Sequence, residues 1–533
     1  MKKSIILKSA MALALSVSFL ACSDEWDDHY DASLAPSDQS LLEVVKSHSN
    51  LSDFVEVLNA THVFTNNKMT KVTYADLLDA DQSLTVWAPV NGTFNKDSLL
   101  AECTTAKGDS MVGQHFVGNH ISHFLYTMGS NTNLNVKMLN NKQMKLGANS
   151  IGDVKVNSEY NLPASNGLLH LLNGSKPYSY NLYEGVTSLR QYAYIGEYIK
   201  GFEQMELDED ASVQSGIVDG VKVYSDSVML LKNILFNAFG NINAEDSSFI
   251  MLMPSEEQWN KVYEEALGYF NYGSVEKADS IQKFWTYRSL MSDLFINRNM
   301  QHALNDSVFT TSYNKRDPEY HVYYKPLTEG GLLSSANIAD TLACSNGSIY
   351  NLSRWPFQPE QLYFRPVEVE GEREANIKKY SECTFNYRQA NADSISGGYL
   401  NIVPQTTSSN WAVDFEVANT LAGTYDVCLI LLPKTAYNVN SRDFKPNKFN
   451  SSLTYTELDG TTTTVKFEDD LTNDPYKVDT VKLGTVTIPV CNYGQETVTV
   501  NLHLECSITR RQTSYSREMY LDQIYLKPTK KDE

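Results

Sequence analysis

The apolar positions of this chain keep two rhythms, and the change falls near residue 365. Leu41, Leu42, Val45, Leu51, Phe54, Val55 and Leu58 recur mostly at three- and four-residue intervals, the period of amphipathic helices. Residues 83–94 then read as a strand ended by Pro89, followed by a helix start. A further helical stretch is expected over Val117–Tyr126, then short alternating strands at 144–146 and 154–156. Residues 164–173 join an Asn166-Gly167 turn signal, where both residues tolerate positive φ, to an apolar run suited to a buried strand.

That order returns. Phe249–Met253 is strand-like, Pro254 ends it, and Trp259 follows five residues later. Asn346-Gly347 opens a second closing strand, with Tyr350 where the first copy has His170. Pro89 and Asn166 are 77 residues apart, Pro254 and Asn346 92, so the copies are comparable in length. Between them 194–202 looks helical and 221–224 strand-like. Beyond 365 the helical period disappears. Strand candidates follow at 399–403, 411–417, 424–432, 453–456, 462–467, 482–490, 497–504 and 519–526. Short strands separated by polar turns signal an antiparallel sandwich.

The Pro89-x-Asn91-x-x-Phe94 element and the Asn166-Gly167-x-x-His170 strand resemble the two signature segments of a fasciclin domain. The stretch with His120, His123 and Tyr126 lies where that family's middle motif would be. The second copy resembles the family more weakly. Leu421–Val427 and Tyr520–Pro528 resemble the mid-domain turn and last strand of galactose-binding-like jelly rolls, a fold that often hosts carbohydrate-binding modules. The expected class is α+β: two fasciclin-like α/β-mixed domains over 40–182 and 183–362, then an all-β jelly-roll sandwich, carbohydrate-binding-module-like, over 363–533.

The N-terminus carries an address. Lys2 and Lys3 precede an apolar run over 5–20, the pattern of a secretory signal at 1–21. The uncharged part, 9–23, is too short for the ~20 apolar residues of a spanning helix. It ends at Leu20-Ala21-Cys22, which resembles a bacterial lipobox whose cysteine becomes the acylated first residue. The acidic tether at 22–39, opening Ser23-Asp24-Glu25-Trp26-Asp27-Asp28, resembles the surface-export signal of Bacteroidetes lipoproteins. This resemblance implies an outer-membrane, lipid-anchored protein exposed at the cell surface.

Charge narrows the partners. Lys+Arg 44 against Asp+Glu 64 gives −20, and loss of Lys2, Lys3 and Lys8 with the signal makes it −23. Phosphate backbones would be repelled and no basic block exists, so nucleic acid is excluded. Cys22 is the lipidation site; Cys103, Cys344, Cys383, Cys428, Cys491 and Cys506 are scattered. Reduced core thiols are expected of them, with Cys491–Cys506 and Cys383–Cys506 bridges left open. His115, His120 and His123 cluster, but amid Val117, Ile121, Phe124 and Leu125, which favours a packed helix over a metal site; no metal or cofactor is expected. His170 is expected in a hydrogen-bonded core. The acid-rich runs at 206–210 and 468–470 read as solvated loops, without calcium-loop spacing.

No nucleophile-elbow, zinc-protease, phosphate-loop or dinucleotide motif is present, so the chain reads as a non-enzyme. Its aromatic content, Tyr 32 and Phe 21 among 533 residues, points to binding surfaces, since flat rings meet pyranose faces. Trp355, Trp411, Tyr437, Tyr455 and Tyr493 are the candidate ligand residues, each weighed against plain packing. The expected function is glycan or protein binding as an accessory of a SusC/SusD-type importer, with polysaccharide or oligosaccharide as ligand. A fasciclin adhesin for host or matrix protein is the alternative, and a glycan-processing enzyme a weaker one.

Overall fold

A computed structural model describes residues 37–529, except 66–67, 130–133, 219–220, 299–307, 311–321, 325–328, 330, 390–396 and 496. Cys22 and its acidic tract therefore lie outside the described residues. Two compact units emerge. One holds the chain through Asn237 with 241–249 and 343–348; the other holds 238–240, 250–342 and 349–533. No described helix is long and apolar enough to cross a membrane.

In the first unit Ser40 caps the Leu41–Ser47 helix through a reciprocal pair with Glu43. Strand Leu84–Pro89 is buried along its whole length and pairs in parallel with Gly167–Leu172. A strand buried on both faces needs a continuous apolar run, which is what both segments supply. The sheet runs Ile121–His123, Leu84–Pro89, Gly167–Leu172, Leu162–Ala164. One expectation fails here. Residues 117–126 are not helical: the helix is Ala106–His115, followed by a tight turn at Val117–Asn119 and the edge strand Ile121–His123. Antiparallel pairing of Leu84 with His123 and Val86 with Ile121 overrides the local period.

The Asn-Gly turn is a structural keystone. Asn166 Oδ1 accepts from Leu41 N at 2.7 Å, and its Nδ2 donates to the carbonyls of Leu78 and Ala80. Asn346 does the same: Oδ1 accepts from Leu182 N at 2.8 Å, and Nδ2 donates to Ile242 O and Ala244 O, both at 2.9 Å. A Cβ on Gly167 would strike the Leu84 carbonyl, and one on Gly347 the Phe249 carbonyl. The second sheet keeps the first one's order: Phe295–Asn297, Phe249–Met253, Gly347–Leu352, Ile338–Cys344. The sequence repeat is thus a repeat in three dimensions.

Residues 206–210 are not a loop. They lie in strand Glu203–Val218, which pairs with Val221–Asn233 as a two-stranded ribbon. Glu206 and Glu209 meet Lys232 and Lys222 there in solvent-exposed cross-strand ion pairs.

In the second unit two antiparallel six-stranded sheets share one core. One runs Cys383–Gln389, Gly398–Pro404, Met519–Pro528, Gly423–Leu431, Asp479–Ile488, with Val367–Glu370 also on Met519–Pro528. The other runs Ile377–Ser381, Ala412–Glu416, Val500–Cys506, Lys448–Thr456, Thr462–Lys466, with Leu471–Thr472 beside Lys448–Thr456. Eight of these strands follow the alternation read from the sequence. Among the described residues Cys103, Cys383, Cys428, Cys491 and Cys506 form no disulfide.

Candidate functional site

The structure scatters the five aromatic candidates. Trp411 is 1% exposed, in the sandwich core, and its indole N–H donates to Arg517 O at 2.6 Å. Tyr455 is also buried. Tyr493 packs edge-on against Trp285 at 4.7 Å, and its carbonyl accepts from Tyr272 Oη at 2.8 Å. Trp355 is half-buried against Phe357 at 5.2 Å. These four rings are committed to packing, because alternation turns them inward or neighbouring helices cover them. Tyr437 alone is well exposed, at 46%.

Around Tyr437 a site can be built from the strands upward. Leu400, Ile402, Met519 and Leu521 point into the core, so their neighbours Tyr399, Asn401 and Tyr520 stand on the outer face. The chain leaving strand Gly423–Leu431 folds over that face, and Leu432 and Ala436 pack on Tyr399 and Tyr520. The turn Lys434–Ala436 then delivers Tyr437 onto Arg388, whose guanidinium sits 4.1 Å from the ring centroid. Arg388 reaches the same face because it pairs with Tyr399 across adjacent strands.

Beside this cluster runs a narrow cleft lined by Pro433, Lys434, Asp443, Lys445, Asn473 and Glu518, among others. Its enclosed volume, about 20 Å³, admits one water, so a larger ligand must lie across its mouth. Tyr476, next in sequence to Pro475 of the cleft wall and 71% exposed, stacks on Phe444 at 4.8 Å and 21°. Phe444, Tyr476, Arg388, Tyr399 and Tyr520 were not singled out from the sequence. The signal was available for two of them: Asp443-Phe444-Lys445-Pro446 and Asp474-Pro475-Tyr476-Lys477 place an aromatic inside a turn-forming polar stretch.

The polar groups of this face are incompletely paired. Asn401 Nδ2 donates to Glu518 Oε1 at 3.0 Å, while Lys434 approaches both Asp443 and Glu518. Tyr399 Oη, Tyr520 Oη, Asn401 Oδ1 and Arg388 Nε are buried without a hydrogen-bond partner. Most buried polar groups in proteins are paired, so four unpaired atoms in one cluster set this face apart. Burial first, then Glu518, holds the Tyr520 phenol far above the usual range, yet the two do not meet in hydrogen-bond geometry. Burial likewise raises Tyr399. Both phenols thus keep their protons.

A second polar group lies on strands Val367–Glu370 and Met519–Pro528. Burial, then Glu370 and Glu372, pushes the Asp522 carboxyl up to about 6. Among the described residues no His, Cys, Asp or Glu group is arranged to hold a metal ion. The histidines confirm separate roles. His115 stacks on Tyr178 at 3.8 Å, and His123 meets Gln82 at 3.0 Å. His120 is buried between Phe116 O and Lys176 N, and His170 between Tyr126 O and Asn161 N.

Burial lowers both His120 and His170 to about 4. Against an unfolded value of about 6.5, the unfolded chain binds protons that the folded chain refuses. Stability is therefore full above pH 6.5 and falls as pH drops toward 4, by on the order of 3 kcal/mol for each ring. Urea midpoints of the wild type should fall steeply between pH 7 and 4.5, and His170→Gln should flatten that slope. An unchanged slope would refute the assignment.

No protein-family model and no curated protein matches this chain. Solved structures do match over about a third of its length. The CBM22-1 xylan-binding domain from Paenibacillus barcinonensis is 10% identical, covers 32% of this chain and 95% of its own, and gives a TM-score of 0.22. A family 35 carbohydrate-binding module from Clostridium thermocellum is 10% identical over 31% of this chain and 99% of its own, with a TM-score of 0.19. The CBM22-1–GH10 modules of a Clostridium thermocellum xylanase, complexed with xylohexaose, are 8% identical over 32% of this chain, with a TM-score of 0.20; the match spans 27% of that protein's length. These neighbours are carbohydrate-binding-module sandwiches.

Proposed function

We propose that this chain is a non-catalytic cell-surface protein that binds glycan through the outer face of its sandwich. The observation that carries the reading is the pair of exposed rings, Tyr437 and Tyr476, carried on the two loops that supply much of the wall of a polar cleft, with four unpaired polar atoms beside Tyr437. Pyranose faces stack on such rings while hydroxyls answer the polar groups. Likeness to carbohydrate-binding modules agrees with this without carrying it.

Affinity electrophoresis against a polysaccharide panel tests it. Retardation by at least one polymer is expected, and Tyr437→Ala with Tyr476→Ala should weaken it about tenfold or more, at roughly 1 kcal/mol for each ring. No retardation by any polymer would sink the reading, and released reducing sugar would sink its non-catalytic part.

The fasciclin-like plan of the first two domains fits a spacer or contact role, with lipidation at Cys22 holding the chain at the outer membrane beside a SusC/SusD-type importer. Cys22→Ala should move the protein out of the membrane fraction; unchanged retention would refute the anchor. One observation favours protein contact as a second reading. The ribbon of Glu203–Val218 and Val221–Asn233 exposes Met205, Met229 and Leu231 on one face, and two-stranded ribbons are marginal in water by themselves.

A further inference from the structure

The unpaired groups beside Tyr437 are unequal in kind, and that inequality selects a ligand. One, the Nε–H of Arg388, can only donate, while the hydroxyls of Tyr399 and Tyr520 can donate or accept. The fourth, Asn401 Oδ1, is an acceptor. Arg388 is half-buried, its one ring contact is Tyr437, and among the described residues no carboxylate forms an ion pair with it. A guanidinium withdrawn from water without an anion is costly unless something else supplies the charge. Nearby acids are already answered: Glu518 by Asn401 and Lys434, Asp443 by Lys434. Lys445 adds a further exposed positive charge on the cleft wall.

Resting on the glycan-binding reading above, we infer that the glycan is acidic and that its anionic group pairs with Arg388. A carboxylate or sulfate brings only acceptors, and the planar fork of arginine matches either group. Tyr437 holds the fork in place through its ring, and the neighbouring sugar stacks on the exposed remainder of that ring. The chain's net charge of −20 opposes unspecific adsorption of polyanions, so retention of one must come from a local site.

The test uses the full chain in affinity electrophoresis and calorimetry with four probes: polygalacturonate, dextran sulfate, dextran and a neutral galactan. Binding to polygalacturonate, dextran sulfate or both is expected, and which one binds identifies the anion as carboxylate or sulfate. Arg388→Gln should weaken that binding by about tenfold to a hundredfold, the size of one charged hydrogen bond. Arg388→Lys should recover part of it, and thermal midpoints of both variants should stay near wild type. Binding of neutral probes with no preference for the anionic ones would overturn the inference and leave the glycan reading standing. So would anion binding that Arg388→Gln does not touch. Failure of all four probes would overturn the inference, and silence across a wider polysaccharide panel would remove the reading beneath it.

Discussion

Asn346→Ala should destabilise the first unit by roughly 3–6 kcal/mol. Asn346 is 3% exposed and serves three backbone groups: Leu182 N, Ile242 O and Ala244 O. Alanine leaves all three without their partner, and each buried backbone group so orphaned costs about 1–3 kcal/mol. The loss is concentrated, because Leu182 opens the helix Leu182–Ser188, and that helix is otherwise capped by Asn181 and Glu184. Gly347→Ala should be at least as severe. Its Cβ would meet the Phe249 carbonyl, a backbone atom that no rotamer change can move aside. Asn166→Ala repeats the experiment in the first copy, removing contacts to Leu41, Leu78 and Ala80. Denaturant titration with hydrogen exchange at Leu41 and Leu182 reads all three variants. A change below about 0.5 kcal/mol in Asn346→Ala would show that the keystone is dispensable.

This keystone explains why the repeat was legible from sequence. In both copies an Asn-Gly pair stands directly before an apolar run, and a buried parallel strand must be an unbroken apolar run. Both marks survive wherever the geometry survives. The 117–126 stretch was misread for the opposite reason. Its apolar residues at 117, 121, 124 and 125 satisfy a helical period, yet Ile121 and His123 pair with Val86 and Leu84, thirty-five and thirty-nine residues earlier in sequence. Only tertiary pairing decides between those outcomes. The acidic run at 206–210 shows the same limit, because ion pairs to Lys222 and Lys232 exist only once the ribbon has formed.

The site was less legible than the fold. Strand alternation predicts that some aromatic residues face out, but it does not tell which face a loop will later cover. Trp411 begins an alternating strand and turns inward; Tyr399 and Tyr520 face outward and are then sealed by Leu432 and Ala436. Tyr437 stands in the sequence only as one aromatic of the last domain among several, and its exposure appears in the fold. Arg388 could not be found there, since its significance is the lack of an acid within reach, and a partner's absence is a property of the folded surface alone.

Lys142→Ala should cost the first unit about 3–5 kcal/mol, the usual result of removing one side of a buried ion pair. Lys142 is 2% exposed and its ammonium lies 2.7 Å from Glu184 Oε2, 2.5 Å from Glu245 Oε1 and 3.3 Å from Ser345 Oγ, above the Tyr178 ring. It comes from the first repeat and all its acidic partners come from the second, so the cluster ties the two copies together within one unit. Tyr178 Oη donates to Glu184, and Glu184 and burial hold that phenol well above its usual range. Two carboxylates share one ammonium, so deleting the lysine strands two like charges in a site with few other donors. Lys142→Met combined with Glu184→Gln and Glu245→Gln should recover most of the loss, because neutral side chains of similar size carry no such penalty. The triple variant separates charge from packing: if it stays as unstable as Lys142→Ala, the lysine stem and not its charge holds the repeats together. If Lys142→Ala itself unfolds at the wild-type denaturant midpoint, the cluster is a surface pairing of no weight, and the two repeats are joined by something else.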